Sequence, residues 1–155
     1  MLSSVREFVF PHECLDGARK HLWKAGRHGH EAFVVFAGHV SGTSAFVRHV
    51  LYPKQEPLVH LPYVGVHVGG RSIFELSRWA ALHSLVLLGQ MHSHPSDAFH
   101  SVTDATYPLV SLPGAFSVVV PDFCRSAIRL EACACYRCVG GKWELVPAPQ
   151  LFRVV

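Results

Sequence analysis

The sequence is poor in charged residues and has no long apolar run, and both absences exclude classes of protein. Charged residues make up 16% of the 155 residues and apolar residues 50%, so the chain does not resemble a disordered segment. The longest apolar stretch, residues 79–89, is interrupted by His83 and Ser84 and is too short to span a bilayer. The opening residues, MLSSVREFVFPHE, lack the apolar run of a signal peptide. These absences predict a cytoplasmic protein with no membrane partner.

A basic surface and an even set of cysteines are also lacking. The formal net charge is only +3 and the Lys and Arg residues are scattered, whereas nucleic-acid binding requires a basic stripe, so no nucleic-acid partner is expected. The five cysteines are odd in number, which predicts reduced thiols. Cys133, Cys135 and Cys138 suggest a structural zinc site as an alternative, but on a strand the third would face away from the other two. Buried core thiols are therefore the preferred interpretation.

The patterning along the chain predicts one α/β domain over residues 1–155. Pro11 suits the first turn of a helix that Gly26 ends, and Ser72 suits the N-cap of a second helix that continues to about His83. A third helix is expected at Ser101, and Gly140-Gly141 marks a hairpin between residues 126–139 and 142–146. The expected strands are 5–10, 32–37, 44–52, 63–70, 84–91 and 115–120. Together these elements predict a mixed, mostly antiparallel sheet flanked by about three helices.

The stretch MHSHPSDAFHSVTD, residues 91–104, carries the strongest chemical signal. His92 and His94 follow an apolar run that fits a buried strand, and residues two apart on a strand project to the same side. The pair can therefore offer two imidazoles to one ion. Imidazole suits zinc, and a catalytic zinc ion usually has three protein ligands and one water.

The residue types leave the third ligand open. Asp104 lies in the first turn of the expected helix and can point back at the strand end, whereas Asp97 is so close to His94 that it would need a very tight loop. Ser101-x-x-Asp104 is also the pattern of a helix capping box, in which both side chains bind backbone donors. Capping and metal binding are thus two interpretations of one aspartate.

HSHP followed by SVTD resembles the JAMM motif of the JAB/MPN metalloprotease family, which pairs H-x-H-P with S-x-x-D. Glu31, within GHEAFVVFAGHVSG, occupies the place of the family's upstream catalytic glutamate. The resemblance covers roughly residues 10 to 125 and implies a JAB/MPN-like, cytidine-deaminase-like domain. One departure is that nine residues separate His94 from Asp104 where the family usually has ten. Asp97 or His100 is the substitute ligand if Asp104 cannot reach the metal.

The resemblance also implies a role for each motif residue. His92, His94 and Asp104 would bind one catalytic Zn²⁺, Glu31 would be the general base and later the proton donor to the leaving amine, and Ser101 would stabilise the oxyanion. The chemistry is consistent with these roles, because zinc lowers the pKa of a bound water to about 7 and a nearby carboxylate can accept its proton.

By the same resemblance, the expected function is that of a zinc-dependent isopeptidase or peptidase. It would cleave after the C-terminal tail of a ubiquitin-like protein, by deconjugation or by precursor processing, with residues 53–70 and the stretch after Asp104 as groove walls. The chain is most similar to short bacterial JAB proteins that accompany ubiquitin-like, activating and conjugating proteins in antiphage-type operons. The alternative function is a non-catalytic JAB/MPN-fold binding module that recruits a ubiquitin-like or other protein. A RadC-like protein connected with DNA is a third hypothesis, against which the weak charge argues.

Overall fold

An eight-stranded mixed sheet forms the centre of the computed structural model, which describes residues 2–60 and 63–155. Its strand order is β10-β1-β3-β2-β6-β7-β8-β9, and a separate two-stranded sheet pairs β4 with β5. The strands are β1 Glu7–Phe10, β2 Phe33–Ser41, β3 Ser44–Leu51, β4 Gln55–His60, β5 Tyr63–Val68, β6 Val86–Ser93, β7 Phe116–Val120, β8 Ala134–Val139, β9 Lys142–Leu145 and β10 Phe152–Val154. This architecture confirms the predicted α/β class.

Among the described residues, four α-helices accompany the sheet: α1 His12–Gly26, α2 Gly70–Leu82, α3 Val102–Thr106 and α4 Ala148–Leu151. Helix α1 follows Pro11 and packs its apolar side against β2, β3 and β6, as its helical spacing predicts. Its buried residues are Cys14, Leu15, Ala18 and Leu22. No helix in the described ranges is long and apolar enough to cross a membrane.

A cluster of phenylalanines forms the centre of the core. Phe8 packs edge-on against Phe116 with ring centroids 4.8 Å apart, and Phe10 packs against Phe36 at 5.0 Å. Phe152 of β10 joins the cluster at 5.3 Å from Phe116. Such edge-to-face pairs contribute about 0.5–1.5 kcal/mol each beyond the burial of their surface. The cluster therefore ties the chain's last strand to β1, β2 and β7.

Strand β6 lies in the middle of the large sheet, antiparallel to β2 and parallel to β7. Gly89 is required there, because a Cβ at this position would lie 2.5 Å from the carbonyl oxygen and ring of Phe116. His92 near the end of β6 faces Phe33 of β2 and Val119 of β7. The two histidines of the H-x-H motif therefore lie at the end of β6, between the start of β2 and the end of β7.

Several predicted boundaries differ from the structure. Ser72 is not the N-cap of α2: Gly69 is, and the Ser72 hydroxyl accepts a hydrogen bond from the backbone N–H of Lys54 instead. The loop expected after Pro53 contains strand β4, and the first arm of the last hairpin begins at Ala134 rather than at residue 126. The difference at Ser72 depends on its contact with Lys54, 18 residues away, which local patterning does not reveal.

Candidate metal centre

Three side chains converge just beyond the centre of the sheet. His92 Nε2 and His94 Nε2 are 3.1 Å apart, and Asp104 Oδ2 lies 3.2 Å from each of them. Ligands placed tetrahedrally about 2.0–2.1 Å from a zinc ion are about 3.3–3.4 Å from one another, close to these separations. The donor set and its spacing therefore fit one divalent metal ion. Within residues 2–60 and 63–155 no other group of His, Cys, Asp and Glu side chains meets the same criterion.

The capping box and the metal cluster share the same carboxylate oxygen. Ser101 is the N-cap of α3 and its Oγ accepts a hydrogen bond from the Asp104 N–H at 3.1 Å. In return, Asp104 Oδ2 accepts from the Ser101 N–H at 2.8 Å while lying 3.2 Å from both histidine nitrogens. The two interpretations of Asp104 are therefore compatible, because the cap points the carboxylate at the histidines.

The electrostatics of the cluster favour a bound cation. Burial raises the pKa of the Asp104 carboxyl, but hydrogen bonds with His92 and His94 outweigh burial and hold it well below its ordinary value. Burial lowers the pKa of His92, which keeps its imidazole neutral, as metal binding requires. Burial also lowers the pKa of His94, but the hydrogen bond with Asp104 and the charge of Glu31 raise it on balance. The site thus combines an anionic Asp104 with a neutral His92. Its negative charges also favour a positive charge at His94.

The backbone around His94 is held by the turn that follows β7. The His94 N–H donates to the carbonyl of Val120 at 2.9 Å, and its carbonyl accepts from the N–H of Phe123 at 2.8 Å. Asp122, Phe123 and Cys124 all have positive φ, at 53°, 50° and 57°. Non-glycine residues in this conformation cost about 1–2 kcal/mol each, so the surrounding packing maintains a strained turn beside the cluster.

Glu31 lies on the wall of the same cavity as His94, Ser101 and Asp104. The cavity has a volume of about 1080 Å³. Burial raises the pKa of Glu31 to about 7, with His94 opposing and Asp104 reinforcing the shift, so the carboxyl is within electrostatic reach of the cluster. The structure therefore brings all five sequence-predicted site residues to one place.

The two substitute ligands lie outside the cluster. His100 Nε2 is 2.8 Å from Ser117 Oγ, and its ring stacks on Tyr136 with centroids 3.9 Å apart. The His100 N–H also donates to the Tyr136 hydroxyl at 3.0 Å. Burial lowers the pKa of His100 to about 4. His100 therefore anchors the loop between the histidines and α3, and neither it nor Asp97 belongs to the cluster.

The cysteines are free thiols. Burial raises the pKa of Cys133 and of Cys135 to about 12 and that of Cys124 to about 11, so these side chains are protonated at neutral pH. No cysteine in the described part of the chain belongs to a cluster suited to a metal. The core-thiol interpretation is the one that the structure favours.

Two residues beside the cluster carry no motif and were missed by sequence reasoning. The Phe33 ring stacks on the His92 ring with centroids 4.5 Å apart and planes 25° from parallel. The side chain of Gln55 hydrogen-bonds both the N–H and the carbonyl of Phe33. Phe33 reaches the site through the register between β2 and β6, and Gln55 reaches it through the path of the chain after β3. Local sequence patterns predict neither of these.

The β4–β5 hairpin and the segment after α3 form the walls of the cavity. All six residues of β5 line it, whereas Leu58 is the one lining residue that β4 contributes among those described. The cavity is also lined by Thr106, Tyr107, Pro108 and Leu109. These walls coincide with the two segments that the sequence predicts as groove walls.

Comparison with known proteins places the chain among metalloproteases. No protein-family model matches it. The fold is similar to the solution structure of protein DSY2949 from Desulfitobacterium hafniense, with a TM-score of 0.67 over 96% of this chain and 92% of that chain, at 16% identity. The sequence is 31% identical to the probable metalloprotease y4jG of Sinorhizobium fredii over 155 residues, which cover 99% of this chain and 96% of that protein. At this identity and coverage, the chain belongs to the metalloprotease family that includes y4jG.

Proposed function

We propose that this chain is a zinc-dependent peptidase of the JAMM type that cleaves after the C-terminal tail of a ubiquitin-like protein. The observation that carries the proposal is the convergence of two imidazole nitrogens and one carboxylate oxygen within 3.2 Å of one another, in a cavity shared with Glu31 and Ser101. The relationship to a probable metalloprotease supports the peptidase part. The ubiquitin-like substrate rests on the resemblance of HSHP and SVTD to the JAMM motif.

Zinc is the metal that the donor set favours. Two histidine nitrogens and one aspartate oxygen make three protein ligands, the number typical of catalytic zinc sites. A bound zinc ion would supply Lewis acidity and a water activated at neutral pH. His92, His94 and Asp104 would hold the ion, and the cap at Ser101 would keep the aspartate in place.

Glu31 has the properties of a proton carrier for amide hydrolysis. Its pKa is raised to about 7 by burial, and efficient general acid–base groups have pKa values near the working pH. The carboxylate can accept a proton from the attacking water and deliver it to the leaving amine. With a cation bound by His92, His94 and Asp104 this pKa would be lower, and the Glu31 carboxyl would be ionised and ready to accept the proton.

Ser101 is suited to stabilise the oxyanion that develops during cleavage. Its Oγ uses a lone pair to accept the Asp104 N–H, which leaves the hydroxyl hydrogen free to donate. The residue also lines the cavity. An oxyanion donor of this kind contributes a factor of about 10²–10³ to kcat in other hydrolases.

The β5 strand offers a binding edge for an extended tail. In the described structure β5 pairs only with β4, so its second edge is unpaired, and all its residues line the cavity that His94 and Asp104 also line. A peptide can add to such an edge through main-chain hydrogen bonds. Glycine residues at the end of the tail would let the scissile carbonyl approach the ligands closely.

The test is cleavage of defined fusions. Ubiquitin and small bacterial ubiquitin-like proteins, each fused through its C-terminal glycine to a fluorescent protein, are incubated with zinc-loaded chain, and the cut site is located by mass spectrometry. We expect cleavage directly after the glycine tail, loss of cleavage with chelator, and recovery on zinc addition. Glu31→Gln should abolish cleavage while retaining zinc, whereas Glu144→Gln, at an exposed glutamate of β9, should cleave as the wild type does.

Two results would contradict the proposal. Equal cleavage by wild type and Glu31→Gln would remove the assigned base. Tight binding of a ubiquitin-like protein without cleavage by zinc-loaded chain would instead support the non-catalytic binding module.

A further inference from the structure

We propose that Gln55 is a positioning residue that holds Glu31 against the metal ligands; its catalytic consequence rests on the proposed peptidase function. Gln55 is the first residue of β4, and its side chain hydrogen-bonds to Phe33, Pro53 and His21 rather than to any of the three ligands. Its side-chain amide instead completes the backbone pairing of the strand that carries Glu31 into the site.

The need for such a residue follows from the β2–β3 register. Val35 pairs with Leu51 and Phe36 with Val50, so the same register would place Phe33 opposite Pro53. Proline has no backbone N–H and cannot donate to the Phe33 carbonyl. Strand β3 accordingly ends at Leu51, and the beginning of β2 extends beyond its partner strand.

The Gln55 amide takes the place of the missing strand partner. Its Oε1 accepts a hydrogen bond from the Phe33 N–H at 2.6 Å, and its Nε2 donates to the Phe33 carbonyl at 2.9 Å and to the Pro53 carbonyl at 3.1 Å. A primary amide presents a donor and an acceptor side by side, as a backbone peptide group does. The side chain therefore extends the ladder by one residue at the position where proline interrupts it.

Helix α1 fixes the amide from a third direction. His21 Nε2 lies 3.2 Å from Gln55 Nε2, and the His21 ring packs against Tyr52 with centroids 4.8 Å apart. Burial lowers the pKa of His21, which keeps its imidazole neutral, and its Nε2 can only share one of the two amide hydrogens that point at the Phe33 and Pro53 carbonyls. Gln55 thus joins α1, β2 and the segment that follows β3.

The two residues that follow Glu31 both contact the strand that carries the histidine ligands. Ala32 is bound on its other side, since its N–H donates to Ser93 Oγ at 3.3 Å and its carbonyl accepts from the Ser93 N–H at 3.2 Å. Phe33 stacks its ring on His92. Gln55 and Ser93 therefore hold the two residues after Glu31 from opposite sides, so the position of the carboxyl depends on both.

The experiment compares zinc-loaded Gln55→Ala and Gln55→Glu with wild type and with Gln150→Ala, an exposed glutamine of α4. Native-state hydrogen exchange reports the clamp directly. In Gln55→Ala the Phe33 amide should exchange at least about tenfold faster, while the Val35 amide, in a complete ladder, stays protected. Gln55→Glu keeps the acceptor for the Phe33 N–H, so that amide should stay protected, but it offers no donor to the two carbonyls.

A crystal structure of the zinc complex of Gln55→Ala gives a readout independent of activity. We expect the Glu31 carboxyl to move by about 1 Å or more, and displacements of this size cost about 10²-fold in rate. In the cleavage assay kcat should therefore fall at least about tenfold in both Gln55 variants, with KM and zinc affinity within about threefold of wild type. Gln150→Ala should match wild type throughout.

An unmoved Glu31 carboxyl in Gln55→Ala would overturn the proposal, as would equal acceleration of exchange at Phe33 and Val35, which indicates general destabilisation. Unchanged kcat in an active enzyme would overturn it as well. If wild type cleaves no substrate, the proposed peptidase function fails, while exchange and the position of Glu31 still decide whether Gln55 is the positioning residue.

Discussion

Replacing Asp104 with asparagine separates its metal role from its capping role. An asparagine side chain has nearly the same shape, and its Oδ1 can still accept the hydrogen bond from the Ser101 N–H. What Asp104→Asn removes is the negative charge that lies 3.2 Å from both histidine nitrogens. The variant should therefore fold with α3 intact and bind zinc weakly.

The expected effect is large enough to measure by thermal unfolding. At a free zinc concentration of 100 times Kd, binding stabilises the folded chain by about 2.7 kcal/mol. For a chain of this length that corresponds to a rise in Tm of about 5–11 °C. Loss of one ligand should weaken binding at least about 100-fold, since even residues outside the ligand shell matter by 10- to 100-fold. The same zinc concentration then stabilises Asp104→Asn by only about 0.4 kcal/mol, or roughly 1–2 °C.

Ser101→Ala is the matched control, because it removes the cap hydroxyl and keeps the carboxylate. It should lose about 1 kcal/mol of stability without zinc and still show most of the zinc-induced rise. The assay is calorimetry of each variant with chelator and with buffered zinc. A zinc-induced rise in Asp104→Asn equal to that of wild type would refute the assignment of Asp104 as a ligand.

Three further predictions concern the oxyanion donor, the base and the thiols. Ser101→Ala should lower kcat by about 100-fold with KM little changed in the fusion-cleavage assay; an unchanged kcat would remove the oxyanion role. The metal-free folded chain favours protonated Glu31, whose pKa is raised from 4.5 to about 7, so the stability from this preference is full below pH 4.5 and is lost as the pH rises through 7. Metal-free Glu31→Gln should accordingly have a higher Tm than wild type at pH 8 but not at pH 4.5, and equal Tm values at pH 8 would contradict the burial of Glu31. Alkylation of Cys133 and Cys135 by iodoacetamide at pH 8, followed by mass spectrometry, should be at least about tenfold slower in the folded chain than in urea, because burial raises their pKa values. Comparable rates would show that these thiols are accessible and ionised.

The parts of the fold that the sequence predicted are those with strong local patterning. The apolar runs of β2, β6 and β7 are almost wholly buried, so their composition alone identified them as strands. Strand β4 was missed because five of its six residues are exposed and one is Pro57. Its pairing with β5 gives the segment its extended form, and the exposed residues of β4 themselves leave no buried apolar pattern to detect.

Long-range pairing explains the remaining differences. Strand β10 has three residues and exists because Phe152 pairs with Phe8 near the other end of the chain and packs into the phenylalanine cluster. The helix boundary at Ser72 differs for the same reason, since Lys54 takes up the hydroxyl that would have capped α2. Local propensity favoured a cap at Ser72, and a contact across the hairpin outweighed it.

The relative placement of His92, His94 and Asp104 follows from the sequence because its spacings are set by local geometry. In an H-x-H pair at a strand end, the alternation of side chains places both imidazoles on one side. In S-x-x-D, the capping box fixes the carboxylate relative to the first turn of α3, whatever the length of the preceding loop. This explains why Asp104 lies 3.2 Å from both histidines although only nine residues separate it from His94. The S-x-x-D segment has a fixed internal geometry, and His100 anchors the preceding loop to Ser117 and Tyr136. Residues 95–100 can therefore change in number while the distance between ligands stays the same, whereas a one-residue change between Ser101 and Asp104 would break both the cap and the cluster.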